Sequence, residues 1–337
     1  MIKVSIILPV YNVEKYIGRC LNSIESVLKS GSSEIIIVND GSTDTSVKEI
    51  ESFASIHSNT KYIEQENAGQ SAARNRGLDI AAGDYVWFID SDDYIDNKEV
   101  RRIIERLEAH EPDVVCFGRV EEHGAWNVRK PKIEKEQEFT SGQEYFEYSV
   151  QNGTFRTTPW DKIFKKRLLD EHNLKFIEGL PYEDMYFCLQ AFMFAQSVSV
   201  VPFYPYHYVM YNATSTTKLI KNRDLAVIKF IHYAYDFILK GDFAVKTNSQ
   251  SFQLLIFTWV SSCLMNKYAY MSLTNVQADH IVKSALADEI FMNSVRYCAR
   301  HRVAFRQHFF AKLLLFSCPL YKVILHLSLK IQHILHK

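Results

Sequence analysis

The chain has 337 residues, long for a single core, and its 39 Lys and Arg balance 39 Asp and Glu, so as a whole it offers no footprint for nucleic acid. At 47% hydrophobic and 23% charged, the composition is that of a globular protein and excludes a disordered one. Six scattered cysteines without a Cys-x-x-Cys pair read as reduced, buried thiols of a cytosolic protein, not as a disulfide framework or a zinc site.

The opening MIKVSIILPVYN has one Lys, a short apolar run and no small-residue cleavage pattern, so it reads as a first strand and not a signal peptide. No uncharged apolar run approaches the roughly 20 residues that a membrane span needs. Apolar runs at Val4–Leu8, Glu34–Val38, Tyr62–Glu64, Tyr85–Ile89 and Val114–Phe117 alternate with helical patterns at Val13–Leu28, Ser46–Ile56, Gln70–Ala81 and Lys98–His110. Strands alternating with helices predict βαβ units, an α/β class with a mostly parallel sheet in three layers. Residues 120–140 are polar and charge-dense, an exposed excursion. Helical patterns follow at Pro159–Glu171 and Glu183–Ala195, then a tyrosine-rich, strand-like stretch at Val198–Tyr211. From about Lys218 the pattern is helical only, which sets two expected domains, 1–218 and 219–337.

In an open α/β sheet, ligands bind beyond the carboxyl ends of the strands. The residues after the first four strands are PVYN (9–12), NDGSTD (39–44), ENAG (66–69) running into QSAARNRG (70–77), and DSDD (90–93). All four are polar and belong to one edge of the expected sheet. In WFIDSDDYID (87–96) four carboxylates fall within seven residues after an apolar strand; they repel one another, and a nearby opposite charge is the usual remedy. An EF-hand loop counted from Asp90 would need Gly and Glu where Ile95 and Arg101 stand, and an aspartyl-phosphatase signature would need Thr where Tyr94 stands. There remain a solvated loop and a site for Mg²⁺ or Mn²⁺, hard cations that take one or two carboxylates and complete their shell with water and phosphate oxygens.

ILPVYN, VNDGSTD, NAGQSAARNRG and FIDSDD, in this order and spacing, resemble the family 2 glycosyltransferases of GT-A fold, and closely the bacterial enzymes that build capsule, O-antigen or exopolysaccharide. The resemblance spans about residues 1–215. It implies a Rossmann-like sheet, a nucleotide-diphospho-sugar donor that is UDP-linked, and a hydroxyl of a glycan or lipid-linked glycan as acceptor. By the same resemblance Pro9, Tyr11 and Asp40 cradle the base and Arg74 lies near the nucleotide, its structural alternative being a pair with Asp40 or Asp44. Asp90 and Ser91 meet the donor, Asp92 holds Mg²⁺ or Mn²⁺, and Asp93 caps a helix or backs the metal ligand. In GLPYEDMYF (179–187), Asp184 is the implied base and Glu183 its orienting or acceptor-binding partner; two first-turn acids favoured by the helix dipole are the alternative. Trp160 and Lys162 resemble an acceptor-side element, with a core tryptophan and a solvated lysine as alternatives. Relatives carry an Arg where Val209 and Tyr211 stand, so His207 or Lys218 would have to assist the phosphate.

From Ile290 to Lys337 there is no Asp or Glu, while eight Lys and Arg and five His alternate with apolar clusters. Such basic amphipathic stretches meet anionic lipid, each basic residue adding roughly 1 kcal/mol near the surface. The expected location is therefore cytoplasmic, on the inner face of the cytoplasmic membrane, with packing against the catalytic domain as the alternative. The rival functions are a sugar-nucleotide-forming nucleotidyltransferase, whose Gly-rich basic loop PVYNVEKY lacks, and an inactive scaffold that keeps the sheet.

Overall fold

Residues Val4–Val10 form strand β1, buried along its whole length between β2 (Ser33–Asn39) and β4 (Tyr85–Phe88), with β3 (Thr60–Glu64) beyond β2. A strand covered on both faces needs no polar alternation, hence the run SIILPV. These four strands pair parallel, and each crossover is a helix: α1 (Ile17–Leu28), α2 (Ser46–Ile56) and α3 (Gln70–Ile80). α3 approaches β1 so closely that a Cβ on Gly77 would stand 2.5 Å from Ile7 Cγ2. The helix–strand contact therefore requires glycine there. This is a computed structural model describing residues 3–28, 33–180, 182–211, 226–270, 282–301 and 303–316.

Beyond β4 the sheet is mixed. β10 (Lys162–Lys165) runs antiparallel between β4 and β6 (Val114–Cys116), followed by β11 (Val198–Val200) and β9 (Gln137–Phe139), giving the order β3-β2-β1-β4-β10-β6-β11-β9. A smaller sheet has the order β5-β12-β7-β8, from Tyr94–Ile95, Tyr206–Val209, Arg119–Glu122 and Asn127–Lys130.

Three local expectations are corrected. The helical pattern at 159–171 is a strand over its first half, with α6 only at Lys166–Glu171; a core strand tolerates Lys162 because Asp161 Oδ1 and Thr158 O take its ammonium at 2.5 and 2.8 Å. The excursion at 120–140 contains β7, β8 and β9, where buried Glu121 gains Arg119 and Lys130 and so hides its polarity. The strand-like stretch 198–211 is two strands, one in each sheet.

One face of the large sheet packs Ile6, Leu8, Ile35, Ile37 and Trp87 against Ile17, Leu21 and Ile24 of α1 and Val100, Ile103 and Leu107 of α4 (Asn97–His110). Burial of each such aliphatic side chain contributes about 1.5–3 kcal/mol. The other face carries an aromatic cluster in which Phe88 meets Phe164, Phe176 and Phe187 at ring-centroid distances of 6.3, 5.1 and 5.7 Å. Phe187 belongs to α7 (Glu183–Phe194), so this cluster fixes where that helix begins.

The chain divides into two compact units, residues 1–145 with 156–213, and 146–155 with 214–337. The second contains α8 (Ala226–Lys240), α9 (Gln250–Tyr270), α10 (Glu289–Arg300) and α11 (Phe305–Phe316), with most of α5 (Gly142–Gln151). Phe252, Leu254, Leu255, Phe257 and Val260 of α9 are all buried and are spread around the helix; a helix apolar around its circumference belongs in a core. Among the described residues no helix is long and apolar enough to cross a membrane.

Candidate active site

Parallel register brings the strand ends together. Val10 stands opposite Asn39, Asn39 opposite Glu64, and Ile89 N donates to Ile7 O. Segments 9–12, 39–44, 65–70 and 89–93 therefore leave the sheet along one edge. The first two are laced together: Asn12 Oδ1 accepts from Thr43 N at 2.8 Å, Ser42 Oγ from Asn12 N, and Asp44 Oδ2 from Glu14 N. Asn12 and Gly41 turn these loops with φ of 50° and 73°. Pro9 is buried at the end of β1, and Tyr11 stands 49% exposed beyond it.

Asp40 is buried and organises the third segment. Its Oδ1 accepts from Gln65 Nε2 and Ala68 N, both at 2.8 Å, and its Oδ2 accepts from Gly69 N at 2.9 Å. A carboxylate has about four acceptor positions, so one remains on Oδ2 for a ligand N–H. Gln65 is a partner that the sequence reading missed.

Arg74 lies on α3, 3% exposed, and bridges two loops: Nη2 donates to Asp90 Oδ1 at 2.8 Å and Nη1 to Glu183 Oε1 at 3.0 Å. Burial works against its charge, yet Asp90 and Glu183 together raise its pKa above the ordinary value. The alternative pairing of Arg74 with Asp40 or Asp44 is corrected by this bridge. One helical turn before it, Gln70 Nε2 donates to the same Asp90 oxygen at 2.9 Å; the i, i+4 spacing within QSAAR was the available signal. Asn75, next in the ARN element, holds Phe176 N and O and Glu178 Oε1, fixing the segment that leads to Glu183.

Glu183 and Asp184 open α7 after Tyr182, which sits in the left-handed region at φ 67°. Such a conformation in a bulky residue costs about 1–3 kcal/mol and survives only where its surroundings enforce it. Asp184 is half-buried, and its pKa is raised to about 7: burial is the main cause, Glu183 adds repulsion, and Arg74 pulls the other way. A carboxyl so poised is charged for part of its population at neutral pH and can accept a proton.

The aspartates of the fourth loop part company. Ser91 is buried, Asp92 is half-buried, and Asp93 turns inward, where Tyr206 Oη donates to its Oδ2 at 2.6 Å and Val209 N to its Oδ1 at 2.8 Å. Burial, then Asp92 and Asp90, drives the Asp93 pKa well up. Asp93 caps no helix; Asp96 caps α4, accepting from Lys98 N and Glu99 N. Asp93 ties the loop to β12 instead.

Trp160 and Lys162 are both core residues. Trp160 is buried and stacks on Tyr206 and Tyr208 at 4.5 and 5.4 Å. Lys162 is 1% exposed in a pair with Asp161, so neither the approach to a diphosphate nor the solvated alternative describes it. His207 Nδ1 meets Glu122 Oε1 at 3.1 Å, and its ring stacks on Tyr94. Lys218 lies outside the described residues.

Among the described residues, no three His, Cys, Asp or Glu side chains converge into a metal cage. The oxygens of Asp92 and Asp90 still suit a hard cation of the Mg²⁺ type, which takes one or two carboxylates and leaves its other positions to water and a phosphorylated ligand. The residues present fit that kind of site, one completed by its substrate.

A parallel sheet with its polar loops on one edge, continued by a mixed half beyond β4, is the GT-A architecture. A crystal structure of Staphylococcus aureus TarS 1–349 superposes with a TM-score of 0.72 over 99% of this chain and 92% of that one, at 20% identity. Residues 5–172 match the model of glycosyl transferase family 2, and through that domain the chain belongs to the family. Among curated relatives, Bacillus subtilis EpsH is 34% identical over 209 residues, 61% of this chain and 60% of that protein. Streptococcus pneumoniae glycosyltransferase GlyA is 34% identical over 203 residues, 58% of this chain and 29% of that one. The poly(ribitol-phosphate) beta-N-acetylglucosaminyltransferase TarS of S. aureus is 29% identical over 211 residues, 62% of this chain and 35% of TarS. The match thus spans between 29% and 60% of the length of these relatives.

Proposed function

We propose that this chain is an inverting glycosyltransferase that moves a sugar from a UDP-sugar to a hydroxyl of a cell-surface glycan or lipid-linked glycan. The observation that carries the reading is Arg74, buried and bonded to both Asp90 and Glu183, beside an Asp184 with a pKa of about 7. On this reading Pro9, Tyr11 and Asp40 hold the base, and Asp90 with Ser91 holds the sugar-nucleotide. Asp184 takes the proton of the acceptor hydroxyl while that oxygen bonds to the anomeric carbon and the bond to the diphosphate breaks on the opposite side. Glu183, held by Arg74, orients the acceptor. Mg²⁺ or Mn²⁺ held by Asp92, with Asp90 beside it, would neutralise the leaving diphosphate.

UDP as donor nucleotide is supported by TarS, solved with UDP and with UDP-GlcNAc, and a glycan-polymer acceptor by relatives such as a poly(ribitol-phosphate) beta-glucosyltransferase of Bacillus spizizenii. A mannosyltransferase of Pyrobaculum calidifontis, solved with GDP-Man and Mn²⁺ and sharing the fold at a TM-score of 0.54, makes GDP the comparison. In the helical unit, exposed Phe305, Phe309 and Phe316 recur on one face of α11 with Lys312, and we assign this face to an anionic membrane surface; residues 317–337 lie outside the described ones.

Calorimetric titration of UDP and GDP, with Mn²⁺ and with EDTA, into wild type and Asp92→Asn tests the site. The expected result is UDP binding that weakens at least tenfold on chelation or substitution. Failure of both nucleotides to bind under every condition would overturn the reading in favour of a scaffold.

A further inference from the structure

The acidic loop is a turn gripped at both ends by one buried side chain. Asp93 N donates to Asp90 O at 3.1 Å, which closes a four-residue turn with Ser91 and Asp92 at its centre. Ile89 N still donates to Ile7 O of β1, but the next amide, Asp90 N, donates to Tyr206 Oη at 3.2 Å. The same hydroxyl donates to Asp93 Oδ2 at 2.6 Å. One oxygen thus holds the first and the last residue of the turn, across sequence separations of 116 and 113.

The surroundings fix that oxygen in place. Tyr206 is fully buried on β12, whose register sets it opposite Ile95 of β5 on one side and Arg119 of β7 on the other. Its ring lies on that of Trp160 at 4.5 Å and 15°. Trp160 is anchored in turn, its carbonyl accepting at 2.8 Å from Nε1 of Trp87 on β4, the strand that leads into the loop. Packing of this kind needs only a ring, and phenylalanine would supply it. A buried tyrosine hydroxyl needs partners, and among the described residues both of its partners belong to the turn.

Resting on the proposed transferase reading, we propose that Tyr206 is a positioning residue for the donor site: its hydroxyl holds the turn in the shape that presents Ser91 to the sugar-nucleotide and Asp92 to the cation. Gln70 and Arg74 hold Asp90 Oδ1 from α3, and Val209 N holds Asp93 Oδ1 from β12, so the ends of the turn are fixed while its two central residues face the task. A hard cation of the Mg²⁺ type demands near-ideal ligand geometry, so a turn that loosens forfeits the cation before it forfeits the base. On this assignment Trp160 seats the Tyr206 ring and meets no sugar.

The test compares, in the full chain, Tyr206→Phe, which keeps the ring and its stack, with Tyr208→Phe, which removes a hydroxyl from the other tyrosine stacked on Trp160. UDP is titrated calorimetrically over a series of Mn²⁺ concentrations. Tyr206→Phe should need at least fivefold more Mn²⁺ for half-maximal UDP affinity, while its UDP affinity in EDTA stays within twofold of wild type. Tyr208→Phe should match wild type in both. Hydrogen exchange without ligand, read by mass spectrometry, should be at least tenfold faster across residues 90–93 in Tyr206→Phe and unchanged across β1, which also shows that the variant is folded. A tyrosine that serves only packing would lower the urea midpoint and leave Mn²⁺ demand and loop exchange as they were, which would overturn the assignment. An equal effect of Tyr208→Phe would overturn it too, as would faster exchange with no change in Mn²⁺ demand, or wild-type UDP binding that EDTA does not weaken. Failure of wild type to bind UDP at all would count against the transferase reading; the grip of Tyr206 on the turn is then judged on exchange, and unchanged rates would overturn it.

Discussion

Replacing Asp184 by Asn should make the protein more stable and stop it working. The carboxyl of Asp184 rises from an ordinary 3.8 to about 7 on folding, a gap of about 3 pH units. At 1.36 kcal/mol per unit this bounds the penalty of its charged form at about 4 kcal/mol. Remaining water contact and the shared field of Glu183 and Arg74 reduce the working figure to about 2–3 kcal/mol. The folded state holds this proton more tightly than the unfolded one, so it binds more protons between pH 3.8 and about 7 and loses stability as pH rises through that window. Asn carries no charge and escapes the loss. Urea unfolding of both proteins at intervals from pH 4 to 8 should give curves that coincide at pH 4 and part by about 2–3 kcal/mol at pH 8, with the variant more stable. Transfer, followed as nucleotide release from the donor, should fall by at least 10³-fold in the variant, while wild-type activity should rise with pH through about 7. Stability curves that stay parallel across the range would refute the burial argument, and a fully active variant would refute the base.

Arg74→Met removes charge-assisted bonds of 2.8 and 3.0 Å and leaves Asp90 and Glu183 facing each other; unfolding should show a loss of about 3 kcal/mol. Because Arg74 holds the Asp184 pKa down, the rising limb of the pH–activity profile should also move to higher pH, and Arg74→Lys should restore little, an ammonium being unable to span both loops. Lys162→Met strands buried Asp161 and should cost about 3–5 kcal/mol, most of it recovered when Asp161→Leu is added, with UDP affinity by calorimetry unchanged throughout. Sedimentation with vesicles containing anionic lipid should carry down the full chain but at least fivefold less of a Phe305→Ser, Phe309→Ser double variant; equal sedimentation would send the search for the α11 partner elsewhere.

The parallel half of the sheet was legible because each strand there is an apolar run and each connection a helix with one apolar face, both of which are local properties. The acidic loop and the Glu-Asp helix start were legible for the same reason: short motifs at elements whose type the local pattern fixes. What bound them together was not local. Arg74 stands 16 residues from Asp90 and 109 from Glu183, and no periodicity announces a bridge across those separations. The mixed half failed where polarity misled. Lys162 in a core strand and Glu121 in a buried one read as solvent-facing until their partners, Asp161, Arg119 and Lys130, are placed beside them. Trp160 and Lys162 were expected at an acceptor site because their segment resembles a family element, and the same residue types also make a satisfied core.

Four carboxylates in seven residues are tolerable because the fold gives the first three different environments. Asp90 meets Arg74 and Gln70 and keeps its charge answered from the protein side. Asp93 points into the core, where Tyr206 and Val209 N satisfy its oxygens and burial favours the protonated form, so it adds little negative charge to the loop. Asp92 stays half-buried between them. Leaving all three charged side by side would have opposed folding. Asp92 is the residue assigned to the cation that a sugar-nucleotide brings with it. It follows that Asp93→Asn, which keeps one oxygen to accept from Val209 N and removes the charge, should spare nucleotide binding within about threefold, whereas Asp92→Asn should abolish its dependence on Mn²⁺. The reverse ranking would mean that the inward aspartate, and not the outer one, faces the ligand.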